Sequence, residues 1–152
     1  AAAVQLFDSW AGGLPYAAFR EWVIAPAKDV VLRVRKVHPE ARIIGFPRAA
    51  TDQGYKAYAE ETGVDAVSLD TAVDLDWAVR TMGGKVTLQG NLDPLALIAG
   101  GAALERSVDR ILEASAGSPF IVNLGHGVLP ETPIEHVSRL LERVRARPGV
   151  RA

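Results

Sequence analysis

The residue types best suited to chemistry stand where an apolar run breaks into glycine and polar side chains. Gly125-His126-Gly127 follows the run Phe120–Leu124 directly. Two glycines around one histidine let the backbone turn tightly and leave the imidazole uncovered. Such a histidine can hydrogen-bond an anion or move a proton near neutral pH. The same pattern also suits a plain turn whose histidine caps neighbouring carbonyls. Phe7-Asp8-Ser9-Trp10-Ala11-Gly12-Gly13 puts polar groups at the end of another apolar run, followed by small residues that let a ligand approach the backbone. Ser9 could donate to a carboxylate there, or form a turn with Asp8. No Gly-x-Ser-x-Gly elbow surrounds Ser9, so it is a poor acyl-transfer nucleophile.

Three further positions share this character. Arg48, after Phe46-Pro47, is a cation that either meets a ligand carboxylate or stays solvated. Asp70 ends an apolar run and suits a helix cap or loop tie more readily than catalysis. In Gln89-Gly90-Asn91-Leu92-Asp93-Pro94, Asp93 reads as an N-cap with proline at the first helical position, while Gln89, Gly90 and Asn91 are candidates for a pocket floor. His38 and His136 fall in or at the ends of helical stretches and read as structural.

The elements that must position these residues follow from periodicity. Strand-length apolar runs recur at Val4–Phe7, Ile43–Phe46, Ala66–Leu69, Val86–Gln89 and Phe120–Leu124. Between them lie helical patterns. Tyr16 to Val37 carries Phe19, Val23, Ala27, Val30, Val31 and Val34 on one rhythm. Gln53–Thr62 stops at Gly63, Asp74–Met82 stops at Gly83-Gly84, and Leu104–Ala114 ends near Gly117. Ile134–Arg145 closes before Pro148-Gly149. Strand then helix, repeated about five times, predicts an α/β fold with a parallel sheet. No Gly-x-Gly-x-x-Gly follows any strand, which weakens a dinucleotide fold. Polar clusters at strand ends favour a (β/α)8 barrel, whose chemistry sits at that face. About five βα units make only part of such a barrel, so this reading expects further sequence, most simply on the N-terminal side. The start Ala1-Ala2-Ala3, running straight into a strand, suggests a cut inside a larger protein. Residues 1–152 read as a single domain, with Gly100-Gly101-Ala102 as a loop between two helices.

Composition sets the outer limits. The chain has 152 residues, 49% hydrophobic and 23% charged, enough to bury a core. A formal net charge of -1 gives no basic field for nucleic acid or membrane. There is no cysteine, so disulfides, thiolate metal sites and cysteine nucleophiles are excluded. No apolar run reaches a membrane span and no signal sequence opens the chain, so a cytoplasmic protein is expected.

Three motifs in order carry a family resemblance. Phe7-Asp8-Ser9-Trp10-Ala11-Gly12 resembles the Phe-Asp/Glu-Ser-x-Ala-Gly element of uroporphyrinogen decarboxylases. Val86 to Pro94, with Leu-Gln-Gly-Asn-Leu-Asp-Pro intact, looks like their next signature. Asn123-Leu124-Gly125-His126-Gly127, with Pro130 and Pro133, looks like the last. Two positions depart from the pattern: Thr71 replaces a common tryptophan, and Ala49-Ala50 replaces a glycine-rich turn.

The resemblance implies the C-terminal half of a (β/α)8 barrel that acts as a homodimer. It implies removal of carbon dioxide from the four acetate side chains of uroporphyrinogen III, giving coproporphyrinogen III on the way to haem, with no metal and no organic cofactor. It further implies that Phe7 packs on the macrocycle, Ser9 hydrogen-bonds a substrate carboxylate, and His126 meets a side-chain carboxylate at the pocket mouth. The family's carboxylate-binding arginines and pyrrole-binding aspartate belong to the first half of the enzyme, so the isolated chain is expected to be inactive. Two other readings stand beside this one. A corrinoid-dependent methyltransferase of the same superfamily binds zinc through histidine and cysteine, and the lack of cysteine argues against it. A non-catalytic half-barrel kept for assembly is the other.

Overall fold

The structure is a computed structural model that describes residues 1–147. Five strands alternate with helices along the chain. They are β1 (Val4–Asp8), β2 (Ile43–Pro47), β3 (Ala66–Ser68), β4 (Thr87–Leu92) and β5 (Phe120–Leu124). The helices are α1 (Tyr16–Phe19), α2 (Ala25–Val37), α3 (Asp52–Glu61), α4 (Leu75–Met82), α5 (Pro94–Ala99), α6 (Gly101–Ala114) and α7 (Ile134–Arg145). A π-helical stretch, Arg20–Ile24, joins α1 to α2, so the predicted helix from Tyr16 to Val37 is continuous. Pro26 accounts for the wider turn: it has no N–H to give the Trp22 carbonyl, and its ring would crowd that oxygen in a regular helix.

Helix starts obey local chemistry. Thr51 accepts the Gly54 N–H at 3.1 Å, Asp74 that of Trp77 at 2.9 Å, and Asp93 that of Leu95 at 2.8 Å. Asp93 is therefore the N-cap its sequence suggested. Two boundaries differ from expectation. Gly90 and Asn91 lie inside β4, paired with Val122 and Asn123, so the strand runs past the Gln89 end expected of it. Gly90 makes this possible, because a Cβ there would sit 2.7 Å from the Leu69 carbonyl oxygen. The break between α5 and α6 is Gly100 alone, with φ 65°, and Gly101 and Ala102 already belong to α6. The His136 ring occupies the space a side chain at Gly100 would need, and its Nδ1 lies 2.9 Å from the Leu97 carbonyl. His136 is structural, as read.

All strands are parallel and ordered β1-β2-β3-β4-β5. A doubly wound sheet reverses its strand order at a switch point, whereas a barrel winds in one sense. Curvature supports the barrel. Gly45, Val67 and Leu88 share the face covered by helices: Tyr58 of α3 lies against Gly45, and Val67 and Leu88 are fully buried. Gln5, Ser68 and Gln89 project from the opposite face. The Gln89 amide donates to the Ser68 hydroxyl at 3.0 Å and to Gln5 Oε1 at 3.1 Å. In a flat sheet β1 and β4 would lie roughly 14 Å apart. Their side chains meet only because the sheet curls around this inner face. The fold is an arc of a TIM-type barrel, with β1 and β5 as its two edges.

The amino ends of the strands carry stability. Asp65 accepts the Ile43 N–H at 2.8 Å and an Arg35 N–H at 2.9 Å, with Arg42 at 3.6 Å. Burial pushes its carboxyl up, but these donors outweigh it and hold the group below the usual aspartate range. A depressed pKa contributes stability that is present above the unfolded value, about 3.9, and is lost as pH falls through the folded one. Asp65→Asn is therefore expected to cost about 1–2 kcal/mol at neutral pH and to flatten the loss of stability below about pH 4. Urea midpoints of parent and variant across that range test this, and parallel curves would remove the role.

Candidate functional site

The carboxyl ends of the strands bring the candidate residues to one rim. Two loops there approach closely enough to need glycine. A Cβ on Gly12, after β1, would lie 2.5 Å from the Ala49 Cβ, after β2. A Cβ on Gly125, after β5, would lie 2.5 Å from the Thr71 nitrogen and 2.8 Å from the Asp70 carbonyl carbon, after β3. One glycine of each sequence motif, Gly12 and Gly125, thus serves loop contact first. The second contact also swings His126 beside the β2 and β3 loops.

The result is a cleft of about 320 Å³ lined by Arg48, Asp52, Asp70, Thr71 and His126 among others. Arg48 is half-buried and His126 exposed. The Gly127 N–H donates to His126 Nδ1 at 2.7 Å. With Nδ1 accepting, the neutral ring carries its proton on Nε2, which is left for a ligand. The cleft thus sets a guanidinium and an imidazole N–H, both able to meet a carboxylate, on one concave surface beside the Asp52 carboxylate and an Asp70 carboxylate taken up by donors of its own. Among the described residues, no group of three or more histidine, aspartate or glutamate side chains is placed to hold a metal ion.

Phe7 and Ser9 belong to the same rim but not to the lining of this cleft. Phe7 is 70% exposed and meets the Phe46 ring edge-to-face at 6.1 Å. Ser9 is exposed, and the Trp10 N–H donates to Asp8 Oδ1 at 3.3 Å, the turn anticipated for this pair. Gln89 faces the barrel interior. Asn91 lines a neighbouring cleft of about 330 Å³ with Asp74, Asp93, Ser107 and Arg110.

Asp70 is the loop tie expected of it. Its carboxylate accepts the Ala49 N–H at 2.6 Å, the Ala72 N–H at 2.9 Å and the Tyr55 hydroxyl at 3.0 Å. The Asn91 amide donates to the Asp70 carbonyl at 3.1 Å. Burial, and then the charge of Asp70, push the Tyr55 hydroxyl far above the ordinary tyrosine value, so it remains a donor. Tyr55 was missed in the sequence because it reads as one more apolar residue of α3. Gln5 was missed too, although polar residues at inward positions of β1, β3 and β4 are a signal that pattern reading can use.

The sequence profile described as uroporphyrinogen decarboxylase (URO-D) matches residues 1–147. The chain belongs to the uroporphyrinogen decarboxylase family. It is 55% identical to a uroporphyrinogen decarboxylase of Sphingopyxis alaskensis over 143 residues, which cover 94% of this chain and 42% of that protein. Identity to a protein of the same name from Rhizorhabdus wittichii is also 55%, over 94% and 41%. For one from Rhodospirillum rubrum it is 46%, over 96% and 42%. The chain spans about two fifths of the length of these curated relatives. Among solved structures, a methyltransferase from Methanosarcina mazei superposes with a TM-score of 0.78 at 18% identity, over 94% of this chain and 41% of that one. At that identity the likeness concerns the fold alone.

Within the family frame, the Ala49-Ala50 departure has a structural meaning. Ala50 N–H donates to the Pro47 carbonyl at 3.2 Å, closing a turn in which Ala49 has φ 59°. A Cβ costs about 1–2 kcal/mol in that region, whereas glycine loses about 0.5–1 kcal/mol through the freedom of the unfolded chain. Ala49→Gly is expected to stabilise the protein by about 0.5 kcal/mol. A denaturant midpoint that falls instead would mean the Ala49 methyl, packed against Gly12, matters more than the turn.

Proposed function

We propose that this chain forms the C-terminal part of a uroporphyrinogen decarboxylase. In this reading the complete enzyme converts uroporphyrinogen III to coproporphyrinogen III by decarboxylating its four acetate side chains, without metal or organic cofactor. It works in the cytoplasm as a homodimer, and the rest of the barrel closes the arc. What supports the reading is the meeting of Arg48 and His126 in one cleft, at the carboxyl ends of parallel strands, in a member of this family.

The chemistry needs little from the protein beyond charge and position. A proton adds to the pyrrole α-carbon next to the one that bears the acetate, and the acetate-bearing carbon becomes an electron sink. The bond to the carboxylate breaks, carbon dioxide leaves, and the electron pair neutralises the ring. The exocyclic methylene carbon then takes a proton to become methyl, and the ring carbon releases its extra one. Each cycle consumes one net proton. Arg48 pairs with a substrate carboxylate, and His126 donates from Nε2 to another at the cleft mouth. Phe7, exposed at the end of β1, offers its ring to the macrocycle, and Ser9 donates to a further carboxylate. Such preorganised donors stabilise the charged states while costing no reorganisation.

The purified chain alone is expected to show no turnover, and activity is expected once it is joined to the N-terminal part of the barrel. In that complete enzyme, His126→Asn is expected to slow turnover by about tenfold to a hundredfold and to release partly decarboxylated intermediates. Steady turnover by the isolated chain would overturn the division of labour. Product distribution and rate matching the parent at several pH values would reduce His126 to a turn residue.

A further inference from the structure

Asp70 is a carboxylate only 7% exposed, and its close partners are neutral donors. Removing a charge from water is costly unless hydrogen bonds replace the water, so a fold keeps such a group where it holds something in place. Here the object held is the turn from Pro47 to Ala50. Ala49 takes a backbone conformation that an L side chain resists, and its N–H meets Asp70 Oδ2 at 2.6 Å. Arg48, one residue earlier, gives its own N–H to the Asp8 carbonyl at 3.0 Å. Its backbone is thus fixed from β1 on one side and from Asp70 on the other. The same Asp70 backbone touches Gly125, next to His126.

We propose that Asp70, assisted by Tyr55, is a positioning residue that holds the Pro47–Ala50 turn so that Arg48 faces the cleft ready for a substrate carboxylate. The role rests on the carboxylate-binding reading given under Proposed function. Tyr55 contributes by spending its hydroxyl on Asp70 Oδ2 from a fully buried site, which fixes the carboxylate plane. A residue that merely supported folding would change stability and leave Arg48 energetically independent. A positioning residue couples to Arg48.

The test uses the complete enzyme. Asp70→Asn keeps the shape and removes the charge. It is expected to raise KM for uroporphyrinogen about tenfold with kcat within about twofold, and Tyr55→Phe to raise KM about threefold. The double variant Asp70→Asn/Arg48→Ala is expected to be no worse than Arg48→Ala alone, because both act through one contact. Adding Ala49→Gly to Asp70→Asn is expected to recover KM to within about threefold of the parent, since glycine takes the positive-φ backbone of the turn without the strain that Asp70 otherwise offsets. Unchanged KM in Asp70→Asn, or effects that multiply in the double variant, would overturn the proposal. Should Asp70→Asn fail to fold, Tyr55→Phe decides by the same split between KM and kcat. If the parent complete enzyme does not act on uroporphyrinogen, the functional reading fails by itself. Amide exchange at Ala49 then judges the positioning role: faster exchange in Asp70→Asn supports it, and an unchanged rate overturns it.

Discussion

Gly125→Ala is expected to lower kcat/KM of the complete enzyme by about a hundredfold, far more than its effect on stability would suggest. The added methyl carbon would lie 2.5 Å from the Thr71 nitrogen and 2.8 Å from the Asp70 carbonyl carbon. Both are backbone atoms of a loop tied by the Asp70 carboxylate and by Asn91, so they cannot swing aside as a side-chain tip can. Contact distance between such atoms is about 3.5 Å, and the β5 loop must retreat by about 1 Å. Overpacking of this kind costs about 1–3 kcal/mol of stability. The retreat also carries His126 away from Arg48, and displacement on that scale is enough to spoil an approach geometry. Gly127→Ala is the internal control. Nothing lies within 4 Å of a Cβ there, and the residue flanks the same histidine. It is expected to stay within about threefold of the parent, as a surface substitution in a relaxed backbone does. Equal kcat/KM values for the two variants would show that the loop contact does not set the position of His126.

The contrast between these two glycines also marks what the sequence could say. The pattern Gly125-His126-Gly127 identified a strand end with an open histidine, and His126 is exposed at the carboxyl end of β5. It did not distinguish a glycine needed for contact from one that is free, because the contact is made by Asp70 and Thr71, far away in the chain. Periodicity located every strand, since five short apolar runs separated by amphipathic stretches leave little choice. It misplaced the end of β4, where Gly90 and Asn91 look like loop residues but pair with β5. Local chemistry cannot reveal that Asn91 spends its amide on the Asp70 and Val73 carbonyls. Arg48 and His126 were separate candidates in the sequence, 78 positions apart, and only the curl of the sheet puts them in one cleft. Phe7 and Ser9 share a motif and a rim with them, yet the edge position of β1 leaves both exposed.

That edge position leads to the second large effect: the purified chain is expected to self-associate rather than persist as a well-packed monomer. Among the described residues, β1 pairs only with β2 and β5 only with β4, so one side of each strand lacks a ladder partner there. Open edges of this kind pair with other chains unless charge, proline or a bulge blunts them. β5 carries no charge and β1 has only Asp8 at its end, so neither has such protection along its length. Apolar surface adds to the drive. Phe7 is 70% exposed, Val4 44% and Ile121 41% on the edge strands, and Trp22 and Leu32 stand 67% and 60% exposed on the helical segment after β1. Burial is worth about 25 cal/mol per Å², so a patch of about 400 Å² supplies roughly 10 kcal/mol before the cost of association. Light scattering over a concentration series should show growing mass, with slow amide exchange on the edges only where chains have paired. Placing lysine on the edges, by Val4→Lys with Ile121→Lys, is expected to shift the distribution toward monomer, as charged edges do elsewhere. Joining the N-terminal part of the barrel is expected to have the same effect by supplying the missing ladders. A monodisperse monomer with both edges strongly protected would sink the barrel-arc argument and favour a self-contained open sheet.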